Sequence, residues 1–344
     1  MGNALGCIPR KEFRGGTGSR SKMSSRPRRK MSTEEDLLHR QALAMAIQQH
    51  QLSQRFDGSM SRRIGSISSR KQTPSSSFRK QVPIVLDKLE TKRIVLVHGE
   101  GFGAWCWYKI IPLLEDAGLH PVALDMASSG MDHTDIHGIL SLADYSKPLI
   151  DYLQNLPEDE KVILVGHSCG GASISYALEC CPKKISKAIY VSATMVLGEQ
   201  TPFDVFAKEL ASAEGFMQDS PLLMYDNGKE KPPTGLMFDK ELLKGLYFNQ
   251  SSSKDIALAS VSMRVVPLAP FMEILTLNAE NYGSIRRYYI QTLDDHMLSL
   301  DTQEKLVQEN PPREVFKIKG SDHCPFFSKP QSLSKLLLEI SQLA

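Results

Sequence analysis

Residues 162–179 read VILVGHSCGGASISYALE, and the rest of the chain is best understood outward from them. Val162 to Val165 form a continuous apolar run, as expected of a strand buried on both faces, and a helix-forming stretch follows Gly170. Between them Gly166-His167-Ser168-Cys169-Gly170 spells G-x-S-x-G at a strand-to-helix junction. The flanking small residues let the chain turn sharply, which predicts a strained backbone at Ser168 with its Oγ exposed at the helix N-terminus. Gly171 and Ala172 then keep the helix close to the strand. G-x-S-x-G alone arises often by chance, so it is the strand before and the helix after it that make Ser168 a candidate nucleophile.

A serine hydroxyl is a weak nucleophile at neutral pH and needs a histidine base oriented by a carboxylate. After a nucleophile elbow the acid and then the histidine follow in chain order, each on a loop beyond a late strand. His323, in VFKIKGSDHCPF, is the one histidine that follows the last apolar run. His98 and His167 lie beside glycines at strand ends and are expected to orient loops. His296 sits where the acid belongs. For the acid, YYIQTLDDHML offers Asp294 and Asp295, which as neighbours cannot both face His323. Asp295 is preferred because it lies deeper in the loop, with room for a helix and a strand before His323; Asp294 stays open as the alternative. Asp322 is read as a loop-capping carboxylate.

Acyl transfer also needs two donors for the tetrahedral oxyanion, one of them the N–H after the nucleophile, here Cys169. The other comes from the loop after an early strand. VHGEGFGAW, residues 97–105, is that loop, with Gly99 in it and the Glu100 N–H best placed to donate. The same glycines fit the G-x-G-x-x-A of a dinucleotide-binding turn, and Asp125 stands where a ribose-binding acid would. That reading leaves Ser168, Asp295 and His323 unexplained, and Trp105 and Trp107 crowd the helix start where a phosphate would approach.

Around these motifs the chain divides by composition. Nine Lys and Arg against one acid, Glu12, fall within residues 1–30, although the net charge is only +2. Residues 1–85 are rich in Ser, Arg and Lys and cannot offset chain entropy by burial, so most of that extension is expected to be disordered. One island, STEEDLLHRQALAMAIQQHQLSQRF, opens on Ser32 with Glu35 three residues later and predicts a helix over about 33–56. From residue 86 apolar runs alternate with helical stretches, the pattern of an α/β fold with a mostly parallel sheet and helices on both faces. RIVLVH, HPVALD, KVILVGH, KAIYVSA, RRYYIQT and EVFKIKG are the expected strands, and residues about 197–280 an inserted helical cap. Six scattered cysteines without C-x-x-C, and no H-E-x-x-H, predict neither a metal site nor a disulfide framework.

VLVHGEGFGAWCWYKIIPLLEDAG, VILVGHSCGGASISYALE, DIALASVSMR and IKGSDHCPFFSKPQSL together resemble the plant methylesterase family of α/β-hydrolases, whose relatives include the salicylic-acid-binding methylesterase and the hydroxynitrile lyases. The basic N-terminal extension is similar to a branch labelled chloroplastic. The resemblance implies an α/β-hydrolase fold over about residues 90–343 and a cofactor-free carboxylesterase. Its substrates would be methyl esters of small hormones: methyl indole-3-acetate, methyl jasmonate or methyl salicylate. Carried over by motif, the triad is Ser168, Asp295 and His323. The lyases typically carry a threonine and a lysine where this chain has Gly99 and Cys324, which argues against cyanohydrin chemistry.

Two departures stand out. Glu100 replaces the small residue usual at the oxyanion position, and its carboxylate would oppose catalysis unless it points to solvent. Ser299 replaces a frequent proline, predicting a less rigid acid loop. The alternative to an esterase is therefore a hydrolase fold used as a hormone-binding or receptor-like protein with little turnover. No nucleic-acid partner is expected. The Arg- and Ser-rich start fits a transit segment. The competing reading is N-terminal acylation at MGNALGC with membrane-surface contact through the basic cluster, but Gly6 stands where that motif wants Ser or Thr. Trp105, Met263 and Phe271 are candidates for the pocket wall, with a plain core position the favoured reading of each.

Overall fold

The computed structural model describes residues 91–198, 200–206, 222–228, 230, 233–237 and 240–344. The chain divides into two units, Met1–Thr73 and Pro74–Ala344. The expected helix over 33–56 and the basic start lie outside the described residues.

Six strands make the central sheet: β1 (Arg93–Val97), β2 (His120–Leu124), β3 (Val162–His167), β4 (Ile185–Val191), β8 (Arg286–Thr292) and β9 (Glu314–Ile318). Their spatial order is β2-β1-β3-β4-β8-β9, and every neighbouring pair is parallel. All six coincide with the runs read from sequence. β3 and β4 are buried along their whole length, which accounts for the apolar runs Val162–Val165 and Ala188–Val191 within them. Helices flank the strands, among them Leu142–Gln154, whose Ser141 and Asp144 form a reciprocal capping box.

The strand order positions the site. The chain leaves β1 for β2 on one side and returns to β3 on the other, so β1 and β3 are neighbours whose following loops diverge, the place where open α/β sheets bind ligands. Their register pairs Val97 with Gly166, so the loops starting at His98 and Ser168 leave the sheet side by side. Likewise Thr292 of β8 pairs with Ile318 of β9, which brings the loops after them to the same edge.

Between β4 and β8 the chain departs from the sheet, as expected, but it is not purely helical. The helices Lys240–Leu246 and Ser253–Ser262 accompany a second sheet of β5 (Leu222–Met224), β6 (Gly235–Met237) and β7 (Val266–Pro267), antiparallel throughout. Strands of two or three residues are too short to show the alternation that identifies a strand in sequence. This segment lies over the carboxyl ends of the main strands, where the Arg264 N–H donates to the Gly101 carbonyl at 2.9 Å.

Candidate active site

Ser168 adopts φ +52°, the left-handed strained turn expected of the elbow. The turn is possible because Gly170 has no side chain: a Cβ there would stand 2.5 Å from the His98 carbonyl oxygen. Gly99 answers it from the other loop, where a Cβ would meet that of Ser168 at 2.7 Å. One expectation fails, however. Ser168 is fully buried rather than solvent-exposed, because the loop after β1 and the segment after β4 close over it.

His323 Nε2 lies 2.7 Å from Ser168 Oγ, and His323 Nδ1 lies 2.8 Å from Asp295 Oδ2. Asp295 is held on every side: Oδ1 accepts the N–H groups of Met297 and Leu298, each at 2.8 Å, and Oδ2 also accepts the Thr292 hydroxyl at 2.8 Å. Asp294 turns away, accepting the Gly320 N–H at 2.6 Å on the exposed side of the loop. Ser299 caps the helix Leu300–Glu309, its side chain accepting from the Thr302 N–H. Burial opposes a charge on His323, but the Asp295 carboxylate, with Glu100 and Asp322 nearby, outweighs it and holds the imidazole above its ordinary value.

The other two histidines orient loops, as read. His98 Nε2 accepts the Met126 N–H at 3.0 Å while Nδ1 meets the Gly99 carbonyl at 2.8 Å, so one neutral tautomer serves both bonds. His167 Nε2 meets the His323 carbonyl at 2.8 Å and its ring packs edge-on against Phe326 at 4.8 Å, fixing the histidine loop from below. Burial depresses the pKa of both rings, so they stay neutral. Asp322 caps its own loop through the Cys324 N–H. It also accepts the Gln250 N–H and the Ser251 hydroxyl, tying that loop to the inserted segment. Asp125 is spent in holding the glycine loop, accepting the Ala104 N–H at 2.6 Å and the Met131 N–H at 3.1 Å, a structural use of the acid that a dinucleotide site would need.

Glu100 is the surprise. Its carboxylate points inward, only 4% exposed, where sequence reasoning asked for it to face solvent. Oε2 accepts the Cys169 N–H at 3.1 Å; Oε1 accepts the Ser168 hydroxyl at 3.1 Å and the Tyr247 hydroxyl at 2.5 Å. Tyr247, in KGLYFNQ, carries no signal in the sequence that would have placed it here. Three donors make the burial of a carboxylate tolerable. Above it lies an apolar cavity lined by Phe203, Phe206, Leu236, Val266, Phe271 and Met297 among others, with Glu100 the one charged residue in that lining. Phe271 lines this cavity and is also part of the hydrophobic core. Met263 instead lines a separate surface cavity, and Trp105 stacks on Phe327 away from the site.

The family model for the alpha/beta hydrolase family matches residues 94–336. "Putative methylesterase 12, chloroplastic" from Arabidopsis thaliana is 63% identical over the whole length of both chains. Methyl jasmonate esterase 1 from Vitis vinifera is 39% identical over 72% of this chain and 96% of its own. This chain belongs to the methylesterase family of α/β-hydrolases. Among solved structures, a methylesterase from Arabidopsis superposes with a TM-score of 0.65 at 35% identity, covering 73% of this chain and 99% of that one. Membership makes the chain a carboxylic ester hydrolase by family, and the match to the alpha/beta hydrolase model begins within the first strand of the sheet.

Proposed function

We propose that this methylesterase hydrolyses methyl esters of small carboxylic-acid hormones, with methyl jasmonate, methyl indole-3-acetate and methyl salicylate as the candidates. Ser168 Oγ attacks the ester carbonyl as His323 takes its proton. The tetrahedral oxyanion is received by the N–H of Cys169 and by the loop of Gly99 and Glu100, through the Glu100 N–H. His323 then protonates the departing methanol, activates a water against the acyl-enzyme, and returns the proton to Ser168 as the free acid leaves. Asp295 keeps the imidazole in the tautomer that presents Nε2 to the serine.

The observation that carries this reading is the chain of 2.7 and 2.8 Å contacts from Ser168 through His323 to Asp295 beneath an apolar cavity. Such a cavity suits a neutral ester of an apolar acid, and the name of the grapevine relative makes the jasmonate ester the first to try. The Arg- and Ser-rich start, with the chloroplastic name of the relative from Arabidopsis, supports delivery to the plastid.

One observation favours a second reading, that of a hormone-binding protein: the Glu100 carboxylate already holds the Cys169 N–H. A panel of the three esters, assayed with wild type and Ser168→Ala, separates them. The expected result is turnover of at least one ester, reduced by about 10³-fold or more in the variant. Ester binding unchanged by the substitution, with no hydrolysis in either protein, would establish the binder instead.

A further inference from the structure

We propose that Glu100 is a resident competitor for the oxyanion site, its carboxylate standing where an ester carbonyl or a product carboxylate must sit, so that hydrolysis requires it to swing out. This rests on the esterase reading above. The geometry is that of a bound carboxylate product: one oxygen on the Cys169 N–H, the other within reach of the nucleophile at 3.1 Å. Tyr247, from the segment inserted between β4 and β8, latches the second oxygen at 2.5 Å. With Glu100 in place its carboxylate occupies both the Cys169 N–H and the Ser168 hydroxyl, so an ester carbonyl cannot take that position until the carboxylate leaves.

Two further features fit a competitor better than a structural carboxylate. Ser168 has one proton, and donating it to Glu100 turns it away from His323 Nε2, the group that must accept it in catalysis. The carboxylate also stands on a tight turn rather than inside a strand or helix. Phe102 N–H closes onto the Gly99 carbonyl with Gly101 at φ +73°, so Glu100 occupies the first corner of a four-residue turn between two glycines. An ester with an apolar acid part can fill the cavity and displace it, whereas a free acid meets charge repulsion. Glu100 thereby discriminates the neutral substrate from its anionic product.

The test compares the full chain as wild type, Glu100→Ala and Glu100→Gln, with Ser168→Ala as the blank. It uses hydrolysis of 4-nitrophenyl acetate and inhibition by phenylboronic acid. In the inhibitor the Ser168 Oγ lone pair forms a bond to trigonal boron, the serine proton passes to His323, nothing leaves, and the anionic tetrahedral boron places a hydroxyl in the oxyanion site. Glu100→Ala is expected to raise kcat/KM and tighten boronate inhibition, each by on the order of tenfold, with most of the gain in KM. Glu100→Gln, which keeps the length without the charge, falls between.

The acid limb of kcat/KM supplies a readout that packing alone would not move. His323 faces the carboxylates of Asp295, Glu100 and Asp322, the His167 imidazole and the Tyr247 ring, whose hydroxyl donates to Glu100. Burial works against its protonation while Asp295, Glu100 and Asp322 favour it. Removing Glu100 therefore lowers the pH at which His323 becomes a free base, and the acid limb moves to lower pH. A folded Glu100→Ala protein, judged by an unchanged unfolding temperature, that is no faster and binds boronate no tighter overturns the proposal while leaving the esterase standing. Absence of Ser168-dependent hydrolysis and of boronate inhibition in every variant removes the esterase reading and this inference together.

Discussion

At the scale of single residues, the two adjacent aspartates divide their work by direction. Asp295 reaches His323 Nδ1 and is fixed by two backbone N–H groups and a hydroxyl; Asp294 holds the Gly320 N–H on the outside of the loop. Asp295→Asn leaves the shape but allows the wrong imidazole tautomer, so kcat is expected to fall by about 10³–10⁴-fold. Asp294→Asn retains an oxygen acceptor for Gly320 and should change kcat/KM by no more than a few-fold, the loss of one exposed hydrogen bond being worth about 1 kcal/mol at most. Steady-state assays on the two variants decide it, and equal losses would mean that the Asp295 contact is not the one that orients His323. Both residues were legible as candidates because a paired acid follows a strand. Which one turns inward depends on the loop's hydrogen bonds to Met297, Leu298 and Thr292, which periodicity does not encode.

At the scale of elements, the site is made where β3 hands over to the helix Gly170–Cys180 against the loop of β1. Ser168 can keep φ +52° only while that helix start lies against His98. Gly170→Val would drive a side chain into the His98 carbonyl and is expected to destabilise the fold by about 2 kcal/mol or more, with loss of activity even in the fraction that folds. Denaturant unfolding measures the first and titration of active serine the second; a variant of native stability and full activity would show that the close approach is not required. The six main strands and the elbow were readable because each is a local pattern of five to seven residues. The small antiparallel sheet was not, since its strands have two or three residues and are held by pairing with distant partners.

At the scale of the molecule, every residue assigned to the site lies between Gly99 and His323, inside both the matched family span and the unit that begins at Pro74. A chain of residues 74–344 is therefore expected to hydrolyse the same ester with kcat/KM within about twofold of the full chain, since no term in transition-state binding is removed. A large loss would assign the basic extension a part in the reaction. The charge is divided accordingly: the excess of Lys and Arg is a property of the first 30 residues.

The order of the six main strands and the strained turn at Ser168 were determined by the amino-acid sequence alone. They follow from hydrophobic period and turn chemistry, which act over a few neighbouring residues. The inward carboxylate of Glu100, its latch to Tyr247 and the burial of Ser168 were decided only by tertiary structure. These contacts join residues 68, 147 and 155 positions apart, and a side chain's direction at such a junction is set by which donors the folded chain brings within reach.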